Sequence, residues 1–215
     1  MLNRILIYNS GGGIGDAIQL ITLIKTLKSQ FKNSKFYYLS AHENHFNSSL
    51  KDFNCAIDTL KLQIKYFGFR WWHGLIINKK IKENSIETFD LILDLQSKIR
   101  NSLILKLLPH KNFISPCLNF KLSKPKLNIK KEKKISSTII KSLNFIYNMD
   151  CKINEFDMNT INKKFFTESE KLLPKNNYVG FSITQGNVYR KKELPLNNIV
   201  SLCSIFKKAN KTPVF

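Results

Sequence analysis

The sequence predicts an α/β fold built on a doubly wound parallel sheet. Short apolar runs, such as residues 5–7 and 91–93, are followed by segments in which apolar residues recur at three- and four-residue spacing. Parallel strands that are covered on both faces have continuous apolar sequences, and strands that alternate with helices are typical of parallel sheets. The same alternation restarts near residue 177, which predicts a second domain.

Five strands are predicted in the first 150 residues. The first is an apolar run that ends where a glycine cluster begins, and the fourth is a clean run that leads into a helix. The third is the weakest, since it is short and follows a polar stretch. The five predicted strands cover residues 4–8, 35–40, 55–58, 89–94 and 111–115.

Four helices are predicted between and after these strands. Asn33 is the expected end of the first, and Pro109 ends the third. The predicted helices cover residues 15–33, 75–81, 96–108 and 136–147. The apolar positions of the first helix are Ile14, Ile18, Ile21, Ile24 and Leu27. Those of the third helix are Ile99, Leu103, Leu105 and Leu107.

Three parts of the chain follow from this pattern. Residues 1–150 form a first domain, and the polar residues 151–176 form a connection that contains a short helix at 168–173. Residues 177–215 begin a second domain with a strand, a helix and the start of another strand, at 178–183, 196–208 and 212–215. These elements cannot cover both faces of a parallel sheet, so we expect the sequence to be the front part of a longer protein.

The charge of the chain suggests a polyanion partner. The sequence has 215 residues with 31 lysines, 4 arginines and 15 acidic residues, which gives a net charge of +20. Arginine would be expected to lead where phosphates or base edges are bound bidentately, so the lysine excess indicates first a biased composition. A basic protein that binds nucleic acid or anionic lipid without catalysis remains an alternative, but no specific nucleic-acid motif is present.

Composition also bears on metals and on location. The four cysteines are far apart, with neither a C-x-x-C pair nor a histidine at ligand spacing, which argues against a structural zinc site and a disulfide framework. No window of about 18 apolar residues predicts a membrane span. We therefore expect a soluble cytoplasmic protein without a structural zinc site.

A glycine-rich loop, residues 10–16, follows the first predicted strand. Glycines allow backbone N–H groups to approach a ligand, and a helix N-terminus favours an anion. A dinucleotide site would need a third glycine where Asp16 stands, and an acid near Ser40. A Rossmann oxidoreductase is thus a weaker alternative. Asp16 itself either complements the helix dipole or faces the crevice at the carboxyl edge of the sheet.

Several motifs, in this order along the chain, resemble the family-nine glycosyltransferases, the bacterial heptosyltransferases of lipopolysaccharide core synthesis. Each motif is weak alone, but together they extend over the whole chain. They are Ile5-Leu6-Ile7, Ile14-Gly15-Asp16, residues 89–96 with Arg100, Thr184-Gln185-Gly186-Asn187 and Lys192-Glu193-Leu194-Pro195.

The resemblance implies a GT-B architecture, in which two Rossmann-like domains face each other across a cleft. Residues 1–150 would be the acceptor-side domain, and the second domain would bind a nucleotide-sugar donor such as ADP-heptose. Transfer to a lipid-linked, lipopolysaccharide-type acceptor would invert the anomeric configuration without a metal. The enzyme would be cytoplasmic, with peripheral contact at the inner face of the inner membrane.

The resemblance also implies roles for individual residues. Asp16 would be the general base that deprotonates the acceptor hydroxyl, and Lys192 would contact the donor diphosphate. The other expected acceptor-binding residues are Gly12, Gly13, Gly15, Gln96 and Arg100. The other expected donor-binding residues are Thr184, Gln185, Gly186 and Asn187.

The chain departs from the family pattern at some of these positions. Gly12 and Gly13 stand where the family more often has a serine pair, which affects acceptor positioning. Glu193 and Leu194 replace a basic-aromatic pair, which affects the nucleotide preference. A later donor-binding segment of the family would lie beyond Phe215, so we expect this chain alone to be inactive.

Three features have alternative interpretations. Gln96 and Arg100 could face the phosphates or carboxylate of the acceptor; alternatively, Asp94 only caps the helix and Arg100 forms a pair on the surface. The aromatic cluster at 69–73, with Lys65 and Arg70, could rest on a membrane, although core packing of Trp71 or Trp72 is favoured. The lysine run at 121–134 could attract anionic lipid or acceptor, and a solvated loop is favoured.

Overall fold

The computed structural model describes residues 2–96, 98–182 and 194–215. The chain divides into two compact units, Met1–Asp157 and Met158–Phe215. Residues that follow the last helix of the first unit, including Ile153 and Phe156, pack against its core. The first seven residues of the segment predicted as a connection, 151–157, thus lie in the first unit, and the rest lie in the second.

The first unit is built on a five-stranded parallel sheet with the strand order β3-β2-β1-β4-β5. This order confirms the predicted α/β class and the doubly wound parallel sheet. The third strand lies a few residues later than predicted, and the other four agree closely. The strands are β1 (Arg4–Asn9), β2 (Lys35–Ser40), β3 (Asp58–Thr59), β4 (Phe89–Asp94) and β5 (His110–Ile114).

Helices cover both faces of this sheet. The side chains of β1 alternate, so that Ile5 and Ile7 join one core cluster while Leu6 and Tyr8 join the other. The first cluster contains residues of α1, α2 and α5, and the second contains residues of α3 and α4. These helices are α1 (Ile14–Ile18), α2 (Ile21–Gln30), α3 (His73–Glu83), α4 (Ile99–Leu105) and α5 (Ile135–Tyr147).

The single helix predicted for residues 15–33 is two helices in the structure. A tight turn, in which the N–H of Leu20 donates to the carbonyl of Ala17 at 3.0 Å, separates α1 from α2. The turn changes which side chains face the sheet, so Leu20 is buried while Ile14 and Ile18 are 45% and 51% exposed. The prediction that one apolar stripe continues through both segments was therefore wrong.

The prediction of which side chains in the helix after β4 face the core was also wrong in part. Ile99, Leu103 and Leu107 are exposed, whereas Leu105 is buried as predicted and Ile104, which was not among the predicted positions, is buried as well. The buried side of α4 additionally carries Asn101, whose Nδ2 donates to the hydroxyl of Tyr8, and Ser102, whose hydroxyl donates to Asp94. A helix face that contains such polar residues does not have the apolar pattern of a core face. The periodicity of the sequence therefore pointed to the adjacent row of apolar residues, which is exposed.

The second unit is small, and none of its described residues is buried. Two parallel strands pair, and the rings of Phe181, Phe206 and Phe215 pack together beside them. The helix predicted at 196–208 is present with those bounds. The elements are α6 (Lys163–Leu172), β6 (Tyr178–Gly180), α7 (Leu196–Lys208) and β7 (Thr212–Val214).

Two further features are the lysine-rich loop and the character of the helices. The lysine-rich segment 121–134 forms a loop, joined to β5 by one antiparallel bridge between Phe113 and Lys124. Within the described ranges, no helix has the length and apolar character needed to cross a membrane.

Candidate active site

The candidate site lies at the carboxyl edge of the sheet, where β1 and β4 are neighbours. From β1 the chain proceeds to β2 and β3 on one side, and from β4 it proceeds to β5 on the other. Ligands of open α/β sheets bind in the crevice at this kind of switch point. The loops that begin after Asn9 and after Asp94 border it.

Asn9 joins these two loops. Its Oδ1 atom accepts hydrogen bonds from the backbone N–H of Gly11 at 3.0 Å and from Nε2 of Gln96 at 2.8 Å. Asn9 is only 6% exposed, so its amide is a fixed part of the edge. The glycine loop and Gln96, predicted from separate motifs, are therefore brought together. Asn9 was not identified from the sequence. Its position as a polar residue at the end of an apolar strand could have marked it as a residue of this edge.

The carboxylate of Asp16 lies against the glycine loop. A Cβ atom built on Gly11 would stand 2.6 Å from Oδ2 of Asp16, and one built on Gly13 would stand 3.7 Å away. Gly13 is the N-cap of α1, and no side chain caps this helix. The Asp16 side chain is exposed, and within the described ranges no cation or hydrogen-bond donor pairs with it. A carboxylate that is open and unpaired can accept a proton from a bound hydroxyl.

Tyr38 lies beneath this loop and is buried. Burial is the main cause that raises the pKa of Tyr38 to about 12, and the charge of nearby Asp16 raises it further. The phenol therefore stays neutral at physiological pH. Tyr38 is thus a neutral polar group near the loop and does not act as a base there.

Two histidines that were not singled out from the sequence border Gly12. The carbonyl of Gly12 lies 3.2 Å from Nε2 of His45, and a Cβ atom on Gly12 would overlap the ring of His42. This contact gives a physical reason for glycine at position 12. Gly15 differs, since a Cβ atom there would meet no atom within 4 Å.

Arg100 holds a second loop at the same edge. Its Nε donates to the carbonyl of Gly68 at 2.9 Å, and the N–H of Gly68 donates to Nδ1 of His73 at 3.1 Å. Burial, with Arg100 and Arg70 nearby, lowers the pKa of His73, which keeps Nδ1 available as an acceptor. Among the residues that the structure describes, Arg100 forms no salt bridge, so the surface ion pair that was one alternative is not seen there.

Tyr8 fixes the same loop from below. Its hydroxyl donates to the carbonyl of Phe67 at 2.9 Å and accepts from Nδ2 of Asn101 at 3.2 Å. Gly68 has φ +83°, a backbone conformation that favours glycine. The chain around Phe67 is thus held by one strand and one helix, a contact that only the fold reveals.

Asp94 has a structural role that differs from the predicted helix cap. Its side chain is fully buried, and Oδ2 accepts hydrogen bonds from the hydroxyls of Ser102 at 2.5 Å and Ser115 at 2.7 Å. Oδ1 accepts from the N–H of Gln96 at 3.0 Å. The carboxyl group joins the end of β4 to α4 and to the residue after β5, and in this way it positions Gln96. Burial raises its pKa to about 6.

Replacement of Asp94 by Asn should remove a pH dependence of folding. The native carboxyl, with a pKa of about 6, holds its proton more tightly than the unfolded one, whose pKa is near 4. The wild-type free energy of unfolding should then fall by about 2 kcal/mol as the pH rises from 4 to 6, relative to the variant. Urea unfolding at each pH, followed by circular dichroism, measures this free energy. Asp52→Asn, at an exposed site, should keep the wild-type slope, and an unchanged slope in Asp94→Asn would contradict the assignment.

A shallow cavity of about 280 Å³ adjoins Gln96. Lys131, Glu132 and Lys133 line it, so the lysine-rich loop reaches this part of the edge. The predicted donor-binding residues Thr184, Gln185, Gly186, Asn187 and Lys192 lie outside the described residues. The arrangement therefore offers an open carboxylate and nearby cations on the side that was predicted to bind the acceptor.

Comparison with family models and with curated proteins finds no match. Among solved structures, a family 9 glycosyl transferase from Veillonella parvula is similar, with a TM-score of 0.58, 16% identity, and 99% of this chain and 62% of that chain covered. E. coli heptosyltransferase WaaC with ADP-2-deoxy-2-fluoro heptose has a TM-score of 0.59 and 13% identity, with 98% and 67% covered.

E. coli ADP-heptose lps heptosyltransferase II is similar as well, with a TM-score of 0.52, 13% identity, and 98% of this chain and 63% of that chain covered. The chain thus spans about two thirds of the length of these proteins. At such identities the similarity is one of fold. The chain shares the fold of the corresponding part of family 9 glycosyltransferases.

Proposed function

We propose that the chain is part of a glycosyltransferase that moves a sugar from a nucleotide-diphosphate donor to a saccharide acceptor. The observation that carries this proposal is the open carboxylate of Asp16 at the switch point of a fold shared with glycosyltransferases. The same fold supports many reactions, so the fold alone would not suffice. The position of Asp16 adds the group that the chemistry needs.

In the proposed reaction, Asp16 accepts the proton of the acceptor hydroxyl while that oxygen attacks the anomeric carbon of the donor. The bond between this carbon and the diphosphate oxygen breaks, and the nucleoside diphosphate leaves with the bonding electrons. A single displacement of this kind inverts the anomeric configuration. No described residue other than Asp16 needs to change its protonation state.

The donor and acceptor are proposed from the neighbours and from charge. Two of the similar structures are named for ADP-heptose or contain an analogue of it, which supports a heptose donor of that type. Lys192 would offset charge on the departing diphosphate. On the acceptor side, Gln96 and Lys133 line one cavity. A guanidinium has five N–H donors, so Arg100 can bind an anion while its Nε donates to the carbonyl of Gly68. A phosphorylated, lipopolysaccharide-type acceptor fits these groups.

The test uses the protein produced from its complete gene. It is incubated with ADP-heptose and a heptose-free lipopolysaccharide acceptor, and ADP release and product mass are measured. We expect ADP release that depends on the acceptor and persists in a chelator. Absence of transfer from ADP-, GDP- and UDP-sugars alike, or hydride transfer with a nicotinamide cofactor, would contradict the proposal.

A further inference from the structure

One side of the first unit exposes an unusual amount of apolar surface. It is formed by the loop before α3, by α3 and by α4 with the turn that follows it. α4 lies beside α3, since a Cβ atom on Gly74 would stand 3.9 Å from Ile104 of α4 and 3.7 Å from Leu107 in the turn. Trp71 and Trp72 are 62% and 56% exposed, so the favoured prediction that one of them packs in the core was wrong. We call this the aromatic-basic surface, and its exposed apolar residues are Tyr66, Trp71, Trp72, Leu75, Ile76, Ile99, Leu103 and Leu107.

The charge of the same segments is mostly positive, and their one acid, Glu83 at the end of α3, pairs with Lys79 and Lys80. Residues 59–82 and 95–131 together contain fifteen of the chain's Lys and Arg residues and none of its 15 Asp and Glu residues. A lysine-rich composition accounts for many cations, but it does not remove every acid from two long segments. The first segment supplies the loop and most of α3, and the second supplies α4. The positive charge of this side is therefore a local property.

Cations lie directly among the apolar side chains. The guanidinium of Arg70 stands 5.5 Å from the ring centroid of Trp72, and Nζ of Lys98 stands 5.8 Å from that of Phe69. Within the described ranges neither cation forms a salt bridge. Both charges thus remain available to an external anion.

We propose that the aromatic-basic surface docks on an anionic lipid bilayer. Tryptophan and tyrosine favour the membrane interface, while leucine and isoleucine enter the acyl boundary and lysine binds anionic head groups. RNA would match the charge, but it would give Leu75, Leu103 and Leu107 nothing apolar to contact. A second copy of the chain would bring like charges together. The inference does not depend on the proposed function.

The two tryptophans provide a direct readout, since they are the only ones in the chain. Vesicles of phosphatidylcholine alone, or mixed with phosphatidylglycerol, are added to the full chain and the emission is recorded. We expect a blue shift with the anionic vesicles that high salt reverses, and little shift with phosphatidylcholine. A change in emission with protein concentration, in the absence of lipid, would show self-association and overturn the proposal.

A matched pair of variants tests the charge contribution. Arg70→Gln with Lys98→Gln should weaken binding to the anionic vesicles by about tenfold or more. Lys32→Gln with Lys51→Gln removes the same charge from exposed sites outside the two acid-free segments, and it should have a smaller effect. Equal weakening by both pairs, absence of a shift with either vesicle, or a short RNA that binds more tightly than the vesicles would overturn the proposal. Circular dichroism confirms that each variant is folded.

Discussion

Replacement of Gly68 by valine is expected to lower the free energy of unfolding by about 3 kcal/mol. Gly68 has φ +83°, where a β-branched residue is strongly disfavoured. Its Cβ atom would also stand 2.5 Å from the hydroxyl of Tyr8 and 3.2 Å from Cγ of Asn101, and both neighbours are buried. Hydrogen bonds to Phe67 and between the two side chains hold them in place, so neither can move away without losing a contact. The strain must therefore displace the loop.

That displacement would break the contacts that hold the second loop of the site. Tyr8 would lose the carbonyl of Phe67, and Arg100 would lose the carbonyl of Gly68. A buried hydroxyl without its partner adds to the cost.

Gly15→Ala is the matched control. A Cβ atom at Gly15 meets no atom within 4 Å, and Gly15 is not among the residues with positive φ, so alanine should be neutral or stabilise slightly. Urea unfolding of the two variants, followed by circular dichroism, makes the comparison. Equal stability of Gly68→Val and Gly15→Ala would show that the loop is not constrained as described.

The sequence predicted the sheet better than the helix faces. β1, β2 and β4 are apolar runs with clear boundaries. A parallel strand that is covered on both faces is a continuous apolar run, so it can be recognised without knowing which side chain faces which helix. Which side chains of a helix face the core depends on how the helix is rotated about its axis. The turn at Leu20 gives α1 and α2 different rotations, so one apolar pattern does not describe both helices. In α4, polar residues on the buried side hide the pattern of the core face.

The exposure of Trp71 and Trp72 has a similar cause. Hydrophobicity predicts which residues can be buried, but the space under α3 is filled by Phe67, His73 and Ile77, which are all buried. The hydrogen bond of Gly68 to His73 stabilises a polar residue in that position.

The sequence predicted those members of the candidate site that belong to local motifs, namely Asp16, the glycine loop, Gln96 and Arg100. Asp16 was predicted from its place after the first strand and its resemblance to a family motif. Asn9, His42 and His45 were not, because their contacts join loops that are distant in the sequence, as in the bond between Asn9 and Gln96 across 87 positions. Arg100 contacts Gly68, which lies in an element whose path the sequence left unclear.

Replacement of Asp16 by asparagine should have the largest effect on activity. Asparagine keeps the shape of the side chain but cannot accept the proton of the acceptor hydroxyl, so kcat should fall by about 10²- to 10⁴-fold. Its contacts with the loop are steric, through Gly11, so the loop should keep its conformation. Asp52→Asn, at another exposed carboxylate, should retain wild-type turnover.

The most direct test is to measure donor affinity and the rate of sugar transfer in the same preparations of wild type, Asp16→Asn and Asp52→Asn, each produced from the complete gene. If Asp16 is the general base, all three should bind the nucleotide-sugar with the same affinity, and only Asp16→Asn should lose transfer. Wild-type transfer by Asp16→Asn, or an equal loss in both variants, would contradict the proposed role of Asp16.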